Sequence, residues 1–191
     1  VKAALIDALR RPLFLCAALL ALSACGNTPT AHQSSMNFAS ATQSHASMRD
    51  EARVMGAVQI AQTMRSKGQR VWCVPFARNA SGVNIRGNAG TWWRKTGSLY
   101  RQSHTPIPGS VMVFKSTRSM PMGHVAVVSK QISPRKILID HANWKRNQVS
   151  LGMEVIDVSE KNDWSAVRVK STPAAYGSVY PVHGFIAAAR G

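Results

Sequence analysis

Four side chains in this 191-residue chain combine residue type and surroundings suited to nucleophilic chemistry: Cys73, His124, Asn143 and His141. Cys73 stands in Val71-Trp-Cys-Val-Pro-Phe-Ala-Arg78, which reads as the opening of a helix, because proline is tolerated in a first turn where its missing N–H has no partner anyway. A thiol at a helix N-terminus faces unpaired N–H groups and the positive end of the helix dipole, so a lowered thiol pKa and a larger thiolate fraction are expected there. The competing reading of Cys73 is a small buried hydrophobe, so a partner must decide between them.

The partner comes later, in Gly123-His-Val-Ala-Val-Val128. This β-rich run places His124, Ala126 and Val128 on one face. A histidine on an apolar face costs desolvation unless its nitrogens are used, and a thiolate within hydrogen-bond reach would use one. The next run, Lys136-Ile-Leu-Ile-Asp-His-Ala-Asn-Trp144, alternates. Ile137, Ile139, His141 and Asn143 share one side, and Leu138, Asp140 and Ala142 share the other. A hairpin turning through Ser129 to Arg135, with Pro134 in the bend, brings His124 near the end of the second strand, where Asn143 or His141 can orient it.

These side chains need elements to hold them. Residues 50–67 carry Val54, Val58, Ile60, Ala61 and Met64 at a spacing near 3.6, which predicts an amphipathic helix after Asp50 that ends before Gly68. It is either the first element of the domain or the end of a stalk. Val155 to Val158, Ala166 to Val169 and Tyr180 to Ile186 read as further strands. The fold class expected is α+β, with N-terminal helices bearing Cys73 packed on a small antiparallel β-sheet that supplies His124 and Asn143.

The first 24 residues read as an export signal. Lys2, Arg10 and Arg11 precede an apolar run from Pro12 to Leu22, too short to span a bilayer but suited to a secretory signal. The run ends in Leu22-Ser-Ala-Cys-Gly26, similar to the lipobox of bacterial lipoproteins, in which Cys25 would be lipidated and become the mature N-terminus. The resemblance places the chain in the cell envelope, held to the membrane by lipid on Cys25. With Gly26 and not Asp after the cysteine, it favours the periplasmic side of an outer membrane. Residues 25–49, rich in Ser, Thr, Ala, Gln and Asn, read as a flexible tether, with His32 and His45 solvated within it. The domain proper then spans 68–191.

Composition narrows the partners. A formal net charge of +16 attracts polyanions. The Lys and Arg residues are scattered, and no zinc-finger, RNP-like or Walker pattern accompanies them, which argues against specific nucleic-acid binding and leaves envelope polymers. At 45% hydrophobic residues the chain can bury a core. No thiolate or carboxylate companions mark a metal site, and no cofactor is required.

The ordered series Trp72 to Arg78, Ser81-Gly82, Trp92-Trp93, Pro106 to Gly109 before Val111 to Phe114, Gly123 to Val128, and His141 to Trp144 resembles the CHAP family over roughly residues 69–145. These are papain-like cysteine- and histidine-dependent amidohydrolases and peptidases, related to NlpC-type cell-wall peptidases. The resemblance implies Cys73 as nucleophile, His124 as base and Asn143 as the residue holding the imidazole, so that Asn143→Ala should cost more activity than His141→Ala. It also implies cleavage of amide bonds in peptidoglycan. Many members carry Glu two residues before this asparagine, where His141 stands here. That departure raises the rival reading of a wall-binding lipoprotein adaptor that no longer cuts. Gln69 is placed as an oxyanion donor beside the Cys73 N–H. Of Trp92 and Trp93, one is expected in the core and the other in the substrate groove, while His183 is read as structural.

Overall fold

The computed structural model describes the backbone of residues 31–188 and the side chains from Ser47 onward. The export signal expected at residues 1–24, and Cys25 with it, lie outside the described residues. Among the described residues, those from Ala39 onward belong to one compact unit, which carries Cys73, His124 and all the strands.

Helix α1 spans Ala31–Ser66, so it begins well inside the stretch expected to be a tether. From residue 31 to residue 55 the sequence contains no Gly or Pro, and Ala is among its commonest residues. The absence of these helix breakers lets the helix run on from its packed C-terminal part. The C-terminal part of α1 is the first element of the domain: Ala57 and Ala61 are buried, with Val54 and Val58 packed beside them. Ile60, expected on that face, is half exposed.

Helix α2, Cys73–Ser81, starts from the extended Trp72 and carries Pro75 in its first turn. It ends at Gly82 (φ 75°), whose N–H donates to the Arg78 carbonyl, a left-handed cap that a side chain would strain. Phe76, Ala77 and Ala80 form its buried stripe.

Seven strands follow: β1 Tyr100–Ser103, β2 Val111–Phe114, β3 His124–Ser133, β4 Lys136–Ala142, β5 Val149–Asp157, β6 Ala166–Thr172 and β7 Ala175–Ala188. Their order is β1-β7-β2-β3-β4-β5-β6, with β7 also pairing β6, so strands β2 to β7 close into a barrel-like ring and every pairing is antiparallel. The small sheet expected from sequence therefore has its ends joined. One long strand does it: the first half of β7 pairs with β6, and the half from Val182 pairs with β2 and β1. The chain bends between these halves near Pro181 and Gly184 (φ 141°). At Gly184 a Cβ would lie 2.6 Å from the Ser103 carbonyl oxygen.

Both faces of β2 and of the first half of β3 are buried. Val111, Val113, Val125 and Val127 pack outward against α2, Val71 and Trp92. Met112, Phe114, Ala126 and Val128 fill the ring interior with Ile137, Ile139, Trp164 and Phe185. Burial of each such side chain stabilises by roughly 1.5–3 kcal/mol, and the double-sided burial explains why these runs are continuously apolar.

Candidate active site

Cys73 is the first residue of α2, and the helix packs across the start of β3. Its half-buried sulfur meets the backbone N–H groups of Val125, Val74 and Cys73 itself. Val125 directly follows His124, so helix start and strand start are joined at the sulfur. Burial raises the thiol pKa above its usual value, and the N–H groups offset this only in part. The lowered thiol pKa expected from the helix terminus is thus reversed, because loss of water outweighs the helix-end field. The cysteine rests as a thiol.

His124 is 5% exposed and opens β3 immediately after Gly123 (φ 67°). A Cβ at Gly123 would lie 2.5 Å from the Gly90 nitrogen, so only glycine lets the Ala89–Thr91 turn close over this point. The imidazole is boxed by Phe114 (centroids 5.6 Å, 68°), Trp144 (5.0 Å, 68°) and His141 (5.1 Å, 81°). Its Nε2 lies 3.0 Å from Nδ1 of His141. Burial, and secondarily the neighbouring His141, hold its pKa well below 6.5.

His141 is fully buried, stacked on Trp144 (5.5 Å, 27°), and its Nε2 lies 3.3 Å from Sδ of Met153. Burial lowers its pKa to about 3. Neutral imidazole is the only form this enclosure accommodates near pH 7, which gives the pair a signature in stability. Above pH 6.5 both folded and unfolded chains hold His141 neutral, and the contribution is complete. Below pH 6.5 the unfolded chain takes a proton that the folded chain refuses down to about pH 3. Stability should therefore fall by about 1.4 kcal/mol per pH unit for this histidine. Urea melts at pH 7.5 and 5.0 should differ by about 2 kcal/mol more for wild type than for His141→Leu. Equal losses would show that the histidine is not buried neutral.

The pairing of Val127 with Asp140, continued along the hairpin, would set Asn143 opposite His124. The chain leaves the ladder first. Asn143 turns left-handed (φ 62°), its N–H donates to the Gln148 carbonyl at 2.7 Å, and its Oδ1 accepts the Asn147 N–H at 2.9 Å. The hydrogen bond to His124 comes instead from His141, two residues earlier on the same face, the diagonal neighbour in an antiparallel pair. Asn143 still lines the cleft, and it acts at one remove on the cysteine. The loop it closes presents Asn147, whose Oδ1 accepts the Val71 N–H at 2.9 Å, just ahead of Cys73. Asp140 faces away, as its parity requires, and accepts the Gly152 N–H at 2.7 Å.

Cys73, His124 and Asn143 open on one cleft of about 790 Å³, walled by Trp72, Trp144, Tyr180, Met120 and Met122. Two sequence expectations need correction here. Gln69, set beyond the α1 end by a bond from its N–H to the Met64 carbonyl, borders a separate hollow with Gln59 and Met64. The donors beside the sulfur are the backbone N–H groups of Val125, Val74 and Cys73. Neither member of the tryptophan pair lines the cleft. Trp92 is fully buried, and Trp93 stacks on His183 (5.9 Å, 9°) near His104. The groove aromatics are Trp72, with Arg70 4.1 Å over its ring, and Trp144 and Tyr180. Met153 went unnoticed in the sequence because nothing in the β5 pattern marks it. Among the described residues, no cluster of three His, Cys, Asp or Glu side chains is placed to hold a metal ion.

A search of curated proteins finds no match to the chain. The family model of the CHAP domain matches residues 64–143, a stretch that contains Cys73, His124, His141 and Asn143, which is consistent with a CHAP-domain protein.

Proposed function

We propose that this chain is an exported, papain-like cysteine hydrolase that cleaves amide bonds of peptidoglycan. The bond is either that between muramic acid and L-alanine or one within the stem peptide. CHAP domains are generally amidases or peptidases, with peptidoglycan as the implied substrate. The observation that carries the residue assignment is that Cys73 and His124 line one cleft.

With His124 Nε2 engaged by His141, Nδ1 is the nitrogen left for the sulfur. The resting pair is a neutral thiol and a neutral imidazole, so Nδ1 takes the thiol proton as sulfur attacks the carbonyl carbon. Backbone N–H groups of Cys73 and Val74 face the developing oxyanion. The imidazolium then returns its proton to the departing amine, leaving an acyl-enzyme that water, activated by the same nitrogen, hydrolyses. His141 holds the ring in place throughout. The aromatic and methionine walls offer apolar surface to sugar faces and the stem peptide, and the charge of +16 attracts an anionic polymer. Lipid on Cys25 would hold the domain at the envelope membrane, facing the wall. No organic cofactor enters this chemistry.

The test is digestion of purified sacculi followed by mass spectrometry of the released fragments. The new terminus names the bond. If wild-type protein binds sacculi yet releases nothing, the chain is a wall-binding adaptor and the hydrolase reading fails.

A further inference from the structure

The His124–His141 pair can hold its protons in two ways, and only one of them gives a base. In the productive arrangement His141 carries its proton on Nε2 and accepts, at Nδ1, the Nε2–H of His124, which leaves His124 Nδ1 with a lone pair for the thiol. In the reversed arrangement His141 carries its proton on Nδ1 and donates it to His124 Nε2. His124 then carries its own proton on Nδ1, aimed at the sulfur and unable to accept. Both arrangements contain the same number of protons and the same 3.0 Å contact. A carboxylate or amide oxygen in place of His141 would accept only and would leave no such ambiguity.

We propose that Met153 is a positioning residue that selects the productive tautomer of this pair. Its Sδ lies 3.3 Å from His141 Nε2. A thioether sulfur accepts a hydrogen bond and cannot donate one. It attracts an N–H at that nitrogen and opposes a bare lone pair, so the far end of the chain of contacts sets which nitrogen of His124 is free. The fold supplies the contact by placing Met153 opposite Ile139 on β5, with the register slipping between Ile139 and His141 so that the ring comes over the sulfur. Trp144, stacked on His141, keeps the ring from turning away.

This inference rests on the hydrolase reading for its effect on rate, but its first test needs no turnover. Long-range proton–nitrogen NMR correlation spectra of the Cys73→Ala protein at neutral pH should show His141 protonated at Nε2. In Met153→Leu, which keeps volume and removes the acceptor, the signal should move toward a mixture of both tautomers, and kcat/KM in the Cys73 protein should fall roughly two- to tenfold. Met153→Glu restores an acceptor at the same place and should return His141 to the Nε2–H form, with activity at or above wild type. A purely packing role for Met153 predicts the opposite ranking, with leucine harmless and glutamate damaging, and that ranking overturns the proposal. If Met153→Leu does not fold, the glutamate spectrum decides alone, because His141 protonated at Nδ1 in that variant is equally fatal. Wild-type protein that leaves sacculi uncut while the tautomer still follows residue 153 would sink the hydrolase reading and leave the proton arrangement standing.

Discussion

Cys73→Ala should reduce the initial rate of soluble-fragment release from sacculi by about 10⁴-fold or more, because the remaining groups supply no nucleophile. The loss should appear in kcat. The cleft walls Trp72, Trp144 and Tyr180 are untouched by the change. Folding should survive, since alanine keeps the Cβ and is a better helix former, and removing one half-buried sulfur costs about 1 kcal/mol. Wild type and variant releasing equal amounts, at equal melting temperature, would remove the cysteine from the mechanism.

The second large effect separates His141 from Asn143. His141→Leu removes the group bonded to His124 Nε2 and should lower kcat/KM by about 10²–10⁴-fold, the range seen when a base loses its orienting partner. His141→Asn, whose Oδ1 can take the place of the imidazole Nδ1, should recover much of that loss. Asn143→Ala should leave kcat/KM within about tenfold of wild type and cost about 1–2 kcal/mol of stability, because its side chain caps a turn and its backbone is left-handed. This ranking is the reverse of what the family resemblance implies for Asn143. Should Asn143→Ala be the more damaging in kcat at unchanged stability, the orienting role returns to the asparagine.

Strand parity left both His141 and Asn143 open as the orienting group, and only the family resemblance singled out Asn143. Parity put Ile137, Ile139, His141 and Asn143 on one face, and that pattern fits the packing of Ile137 and Ile139 in the ring interior and of His141 against His124. Parity cannot say where a strand stops. The left-handed turn at Asn143 took it out of the ladder, and the cost of that turn is met by hydrogen bonds with residues 147 and 148 that close the loop. The Trp92-Trp93 pair shows the same limit. Adjacent aromatic residues look alike in sequence, and only the Ala89–Thr91 turn, the outer core and His183 determined that both would pack away from the cleft.

Hydrophobic period and punctuation determined the local elements. Pro75 marked the opening of α2, alternation gave the faces of β3 and β4, and the contexts of Cys73 and His124 marked them as a candidate pair. Three things were decided only by tertiary structure: closure of the sheet by β7, burial that raised the thiol pKa against the helix-end field, and the His124–His141–Met153 line drawn from three strands. The physical reason is common to all three. Propensity and periodicity act over a few neighbouring residues, whereas water exclusion and hydrogen bonds between strands depend on which distant segments come to share one interior.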